Sequence, residues 1–258
     1  MSNSLYVAAA GMAAQQTYIN TISNNLANIN TPAYKKSRVS FKDMVMRLQD
    51  RADTVTGSDL QRSVGAGSVA LMLGKQFTSG QLKKTDVPTD LAINGDGLVE
   101  LIMPDGSTAY TRNLSLQVTR DGLLANAEGY PLHQQIQIPL DATSMQIDAT
   151  GKVMVTVPNE KSAVEAGQIE LVRFVNLAGL VPMGDSLYGG SEKAGDALRG
   201  KSGDAGFGSL AQGYVEASNV QLGEEMVGLT LAQRAYEINA KMIQMSDEIL
   251  GIVNGLRR

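Results

Sequence analysis

The sequence has no cysteine, no tryptophan and a single histidine, His133, in its 258 residues. Disulfides, thiol nucleophiles and zinc sites built from Cys or His are thereby excluded, and any Ser–His pair would have to use His133. His133 follows Tyr130-Pro131 in a predicted turn or strand, with no Ser or Asp arrangement around it, and reads as structural or exposed. An excess of positive charge is lacking too. With 22 basic and 26 acidic residues the net charge is −4, which gives no electrostatic footprint for nucleic acid. Charged residues make up 19%, below the ~25% of an ordinary domain, so part of the surface is expected to meet protein instead of water. No window approaches the ~18 uninterrupted apolar residues of a membrane span. The apolar patch Leu5 to Ala14 lacks the basic flank of a secretory signal, because the first Lys or Arg is Lys35. Export, if it occurs, is expected to proceed without a cleaved signal of that type.

The remaining chemistry is equally thin. Gly95-Asp96-Gly97 reads as a turn and lacks the spacing and following helix of a phosphate loop. Glu224-Glu225 and Asp247-Glu248 are neighbours on a predicted helix, where adjacent side chains point about 100° apart and do not readily share a metal or a proton. No catalytic residue, cofactor or metal site is expected.

What is present is periodicity at both ends. No side chain from Met1 to Tyr34 is charged, and Leu5, Ala8, Met12, Gln15, Ile19, Ile22, Leu26 and Ile29 follow heptad spacing, with Gln15 the one polar member. The pattern predicts a helix reaching Thr31-Pro32, where proline disfavours continuation. Its opposite face, with Thr17, Asn20, Asn24 and Asn28, is polar yet uncharged, unlike an ordinary solvated face. At the other end, Leu231, Ala235, Ile238, Met242, Met245, Ile249, Ile252 and Leu256 form a second seam. Leu229, Tyr236, Ala240, Ile243 and Leu250 lie on the back of that helix, which therefore has more apolar surface than one partner covers.

Between the seams the period changes to that of strands. Leu98 to Met103 and Thr108 to Arg112 flank the turn Pro104-Asp105-Gly106-Ser107. Leu114 to Thr119 leads to Asp121-Gly122, and Met145 to Asp148 is joined to Lys152–Val157 by Ala149-Thr150-Gly151. Gln168 to Val175 is a further strand candidate. Arg47 to Gly67 and the glycine-rich Gly189 to Gly208 show little apolar periodicity and read as arms or linkers. The expected fold class is α+β: terminal helices that pair across the chain, joined by extended arms to a central antiparallel β domain. The boundaries are 1–34 for the first helix, 35–75 for an arm, 76–188 for the β domain, 189–214 for a return linker and 215–258 for the second helix.

Several runs resemble one family. Ser23-Asn24-Asn25-Leu26-Ala27-Asn28-Ile29-Asn30-Thr31-Pro32-Ala33-Tyr34-Lys35 is similar to the N-terminal signature of the bacterial flagellar rod and hook proteins. Glu216-Ala217-Ser218-Asn219-Val220 and Gln233-Arg234-Ala235-Tyr236-Glu237-Ile238-Asn239-Ala240-Lys241 resemble its C-terminal signature. Ser79-Gly80-Gln81-Leu82 followed by Thr89-Asp90-Leu91-Ala92-Ile93-Asn94-Gly95-Asp96-Gly97 resembles its mid-chain motif. The motifs stand in the family's order and together are specific. Leu98-Val99 departs from it, since the family usually has two aromatics there. The length argues against the hook proteins, and the stretch from Arg47 to Gly67 resembles the distal-rod members, with proximal-rod members of similar size the alternative.

The resemblance implies a structural axial protein of the flagellum and not an enzyme. Its terminal helices would pair as a coiled coil and stack helically with other copies into the hollow distal rod, a drive shaft carrying torque to the hook and enclosing the export channel. The arm would bridge neighbouring copies and the β domain would form an outer layer. Partners would be copies of itself, other rod proteins, the hook protein, the surrounding rings and the flagellar type III export apparatus, with no nucleic acid and no membrane insertion. The location would be the basal body, in a rod spanning the periplasm. Expected interface residues are Leu5, Met12, Ile19, Ile22, Leu26 and Ile29, with Leu231, Ala235, Tyr236, Ile238, Met242, Ile243, Met245, Ile249, Leu250, Ile252 and Leu256. The ends are expected to be largely disordered in the monomer and to fold on assembly, since an isolated seam cannot offset its ordering entropy. Two other classes stay open on the residues alone: a β-domain binding protein held in a closed oligomer by its end helices, and a glycan hydrolase using Asp105, Asp121 or Asp148.

Overall fold

The computed structural model describes residues 2–47, 63–158 and 163–256, which form two compact units. The helical unit contains α1 (Ser2–Ala27), β1 (Ser37–Arg47), all but the last two residues of β2 (Ser63–Lys75), and α2 (Leu222–Leu256). The two strands pair as a ribbon, and both β1 and α2 pack on α1. The helices run antiparallel. Asn25 reaches Glu225, a side chain at Gly228 would meet Tyr18 and Ile22, and one at Gly11 would meet Asn239. Tyr18 also meets Phe41 of β1 edge-on, with ring centroids 5.5 Å apart.

The β unit takes in residues 28–36 and 74–220. Its strands are β3 (Leu82–Lys84), β4 (Asp90–Asn94), β5 (Val99–Ile102), β6 (Thr108–Thr111), β7 (Leu114–Val118), β8 (Leu124–Asn126), β9 (Ser144–Ile147), β10 (Lys152–Thr156), β11 (Val164–Gln168), β12 (Glu170–Arg173), β13 (Val181–Gly184), β14 (Leu187–Gly189), β15 (Leu198–Lys201), β16 (Ser209–Gln212) and β17 (Tyr214–Glu216). The sheet orders are β13-β14-β6-β5, β16-β4-β7-β8, β11-β10-β9, β12-β15 and β17-β3, and the registered pairs are antiparallel.

The hairpins β5–β6, β7–β8 and β9–β10 stand at the turns read from the sequence. Two of those turns share one device. Asp105 Oδ1 accepts from the amide and hydroxyl of Ser107, and Asp148 Oδ1 accepts from the amide and hydroxyl of Thr150 and the amide of Lys152. These hydroxyl bonds hold both carboxyls below the usual aspartate range. Leu91, Val99, Leu101, Leu124, Val153 and Leu171 belong to the main core, while Leu98, Tyr110, Val172 and Phe174 form a second cluster. Leu98 and Val99 thus fill two cores.

The fold differs from the sequence reading at four boundaries. Helix α1 ends at Ala27 instead of near Thr31-Pro32, and the chain turns so that Asn28 O accepts from Thr31 and Ala33 takes a φ of 56°. Helix α2 begins at Leu222, because Tyr214–Glu216 is used as β17. The arm at 35–75 carries the paired strands β1 and β2, and its residues 48–62 lie outside the described residues. The return linker at 189–214 carries β15 and β16, which pair with β12 and β4. At Gly208 the glycine marks close approach, not slack. A Cβ on Gly208 would lie 2.7 Å from Asn94 O, so only glycine lets the two backbones meet.

Candidate assembly interface

The seam of α1 turns inward, as its spacing suggests. Ile22 is buried, while Leu5, Met12, Ile19, Leu26 and Ile29 are half-buried. The seam of α2 does not. Helix α2 presents to α1 a row of small and polar residues, Glu225, Gly228, Ala232 and Asn239, with Ala235, Ile243 and Leu250 half-buried. Small residues allow close helix approach, and α1 answers with Ala8 and Ala14, both buried. The longer apolar row is left in solvent: Leu231 is 63% exposed, Ile238 59%, Met245 61%, Ile252 64% and Leu256 83%, and Tyr236, Met242 and Ile249 are exposed as well. Gln233 and Arg234 share that exposure. Together these apolar side chains recur turn after turn from Leu231 to Leu256 of α2, about 38 Å at the α-helical rise. An apolar row of that length on a water-facing helix is a candidate interaction surface. The ribbon adds Phe41, Val45, Leu71, Met72 and Leu73, all exposed.

The asparagines of the two terminal signatures do a different job. Asn25, at the end of α1, donates to Ser37 O (3.1 Å) and Glu225 Oε2 (3.2 Å), and its Oδ1 accepts from the Ser37 amide (2.9 Å). Asn219 accepts from the Lys36 amide (2.8 Å) and donates to Gln76 O (2.7 Å) and Thr78 Oγ1 (2.9 Å). Asn28 Oδ1 accepts from the Thr31 hydroxyl, and Ser218 Oγ from the Val220 amide. Asn24 and Ala27 are exposed. These short side chains fasten turns and junctions that regular strands cannot close by themselves.

Sequence reasoning missed the most polar feature of the interior. Glu216 and Lys35 have fully buried side chains and Arg112 is 4% exposed. Lys35 Nζ donates to Glu216 Oε1 (2.6 Å) and Thr78 O (2.8 Å), and Arg112 Nε to Glu216 Oε2 (2.7 Å). Arg112 spends its other donors on Gly97 O, Gly95 O and Ile93 O, and the Gly80 amide completes the carboxylate (2.7 Å). Burial alone would raise the Glu216 pKa, but the charges of Arg112 and Lys35 with these hydrogen bonds outweigh it and hold the carboxyl below its ordinary value. Lys35 and Glu216 sit inside the motif runs, whereas nothing local marks Arg112. Among the described residues no group of acidic or histidine side chains has metal-binding geometry.

Comparison with known proteins follows the same three stretches. Residues 5–35 match the family model for the flagella basal body rod protein, residues 92–155 that for the flagellar hook protein FlgE/F/G D1 domain, and residues 211–256 that for the flagellar basal body rod FlgEFG protein C-terminal region. The flagellar basal-body rod protein FlgG of Borreliella burgdorferi is 40% identical over 264 residues, covering 100% of each chain. The chain belongs to the FlgG flagellar basal-body rod protein family. FlgG of Caulobacter vibrioides is 38% identical with 98% of each chain covered, and that of Bacillus subtilis 38% with 100% of each. The FlgG family is one of structural proteins, not enzymes. Lys35, Arg112 and Glu216 fall one in each of the three matched stretches, so the buried cluster joins parts that the FlgG-related family models describe separately.

Proposed function

We propose that this chain is a structural subunit of the flagellar basal-body rod, which polymerises through its terminal helices. The observation that carries the reading is the apolar row of α2, exposed in a chain whose α1 is already occupied by α2 and the ribbon. In the polymer each α1–α2 pair acts as a coiled-coil element, and the row from Leu231 to Leu256 is covered by neighbouring copies. A contact between different surfaces that does not close on itself generates a helical filament. The β unit forms the outer layer and the ribbon bridges adjacent copies. The product is the hollow distal rod, a shaft that carries torque from motor to hook around the export channel. It joins other rod proteins below and the hook protein above, and runs inside the basal-body rings across the periplasm. The subunit reaches its site through the flagellar type III apparatus without a cleaved signal, inserts in no membrane and carries out no catalysis.

Sedimentation of the purified chain over a range of concentrations tests this reading. A rod subunit gives particles whose mass grows with concentration, and Ile238→Asp, which places a charge on the row, abolishes that growth while the β unit stays folded. A fixed small oligomer at all concentrations would replace the rod reading with a closed bundle.

A further inference from the structure

We propose that the buried Lys35–Glu216–Arg112 cluster is a junction lock: it pairs the two chain segments leading to α1 and α2 and thereby makes helix pairing, and assembly, depend on a folded β unit. The inference rests on the assembly reading above and adds a control to it.

Residues 28–221 separate the helices along the chain. Bringing the ends of so long a stretch together carries a loop-closure cost that grows with its length. The β unit removes that cost at the junction. Ala33 N–H donates to Glu216 O (2.7 Å), Asn219 N–H to Tyr34 O (3.3 Å), and the Lys36 amide to Asn219 Oδ1. The residues after α1 and those before α2 therefore lie side by side, each a few residues from its helix. Two helices on short tethers meet at an effective concentration on the order of mM.

Lys35 is the residue that makes this pairing conditional. It is the first charge in the chain, its side chain is fully buried, and its ammonium bridges Glu216 to Thr78 O. An ammonium is retained in such a place only while its carboxylate and carbonyl partners are assembled around it, and those partners come from distant parts of the β unit. Gly80 completes the lock sterically. A Cβ there would overlap Ala217 O and crowd the Glu216 side chain, so glycine admits the strand before α2 to its seat.

Two variants open the lock by unrelated routes. Lys35→Met removes the ammonium while leaving Glu216 paired with Arg112 and the Gly80 amide. Gly80→Ala wedges the 216–217 backbone without changing charge. For each full-length variant the thermal transition of the β unit by near-ultraviolet circular dichroism, the helix content of the dilute chain by far-ultraviolet circular dichroism, and the concentration for half-assembly are compared with the parent. The expected result is a retained β transition with reduced helix content and a half-assembly concentration raised about tenfold or more. Parental helix content and parental assembly in either variant would overturn the lock. Loss of the β transition in both variants would overturn it equally, because the cluster would then be ordinary core. A parent chain that forms no growing polymer defeats the rod reading instead, and helix content still decides the lock.

Discussion

The β unit encloses two hydrophobic cores and leaves side chains such as Leu140 and Val175 exposed at separate points of the chain, whereas the helical unit leaves a whole row of them along one helix. Leu101, Val153 and Leu171 have no exposed surface, and even three charged side chains are enclosed with their partners matched. Helix α2, by contrast, spends its small residues on α1 and leaves its large ones in water. The difference separates two meanings of an apolar pattern. A pattern completed by its own chain produces stability, whereas one left over offers a surface that another molecule can cover. Variants in the two units should therefore fail in different assays.

The largest effect on the isolated chain is expected from Glu216→Gln. It leaves two buried cations without their carboxylate, and breaking a buried pair in this way costs about 3–5 kcal/mol. Chemical denaturation followed by a β-unit signal measures it, and a loss below about 1 kcal/mol would mean that the carbonyls alone satisfy Arg112 and Lys35. The same group sets an acid limit. Because Glu216 titrates lower in the folded chain than in the unfolded one, its contribution is fully present above the ordinary carboxylate range and disappears as pH falls through the folded value. Stability followed downward from neutral pH is expected to drop on the acid side in the parent and to drop less in the variant.

Next comes Leu101→Ala, in the middle of β5. Truncation of a fully enclosed leucine leaves a cavity and costs about 3 kcal/mol, with assembly at permissive temperature little changed. Ile22→Asp and Ile238→Asp carry the comparison into the helical unit. Both sites belong to heptad seams, yet Ile22 is buried between the helices and Ile238 is 59% exposed. Ile22→Asp lowers both helix content and assembly. Ile238→Asp leaves unfolding of the monomer within about 0.5 kcal/mol and removes assembly. Equal loss of helix content in both would erase the distinction between an inner and an outer seam.

How much of this was legible follows from the range of each contact. The hairpins at Pro104-Asp105-Gly106-Ser107 and Ala149-Thr150-Gly151 were readable because an Asx turn is made within a few residues. The terminal helices were readable from period alone, since 3.6 residues per turn needs no partner. Which seam of α2 faces α1 was not, because small residues such as Gly228 and Ala232 carry no weight in an apolar count and yet decide how closely helices pack. Strands β15 and β16 were hidden because glycine signals slack and close approach in the same letter. The cluster of Lys35, Arg112 and Glu216 joins residues from three distant parts of the chain, and no local rule reaches across that interval. Its one hint was that the first charge of the sequence stands at the edge of a motif.

The smallest expected effect sharpens the contrast between enclosed and exposed charge. Lys152 on β10 and Glu165 on β11 form a second lysine–glutamate pair in the same unit, with Nζ and Oε2 3.7 Å apart and about half of each side chain exposed. Water screens this pair, and the entropy of holding two long side chains offsets most of the attraction, so its net worth lies between zero and about 1 kcal/mol. Lys152→Ala should therefore shift the denaturation midpoint by less than about 0.5 kcal/mol equivalent, and added salt should leave the difference between parent and variant nearly unchanged. The expected ratio to Glu216→Gln is several-fold for two pairs of the same chemistry. A Lys152→Ala cost approaching that of Glu216→Gln would show that burial is not what separates them, and the case for Lys35 as a conditional lock would lose its physical basis.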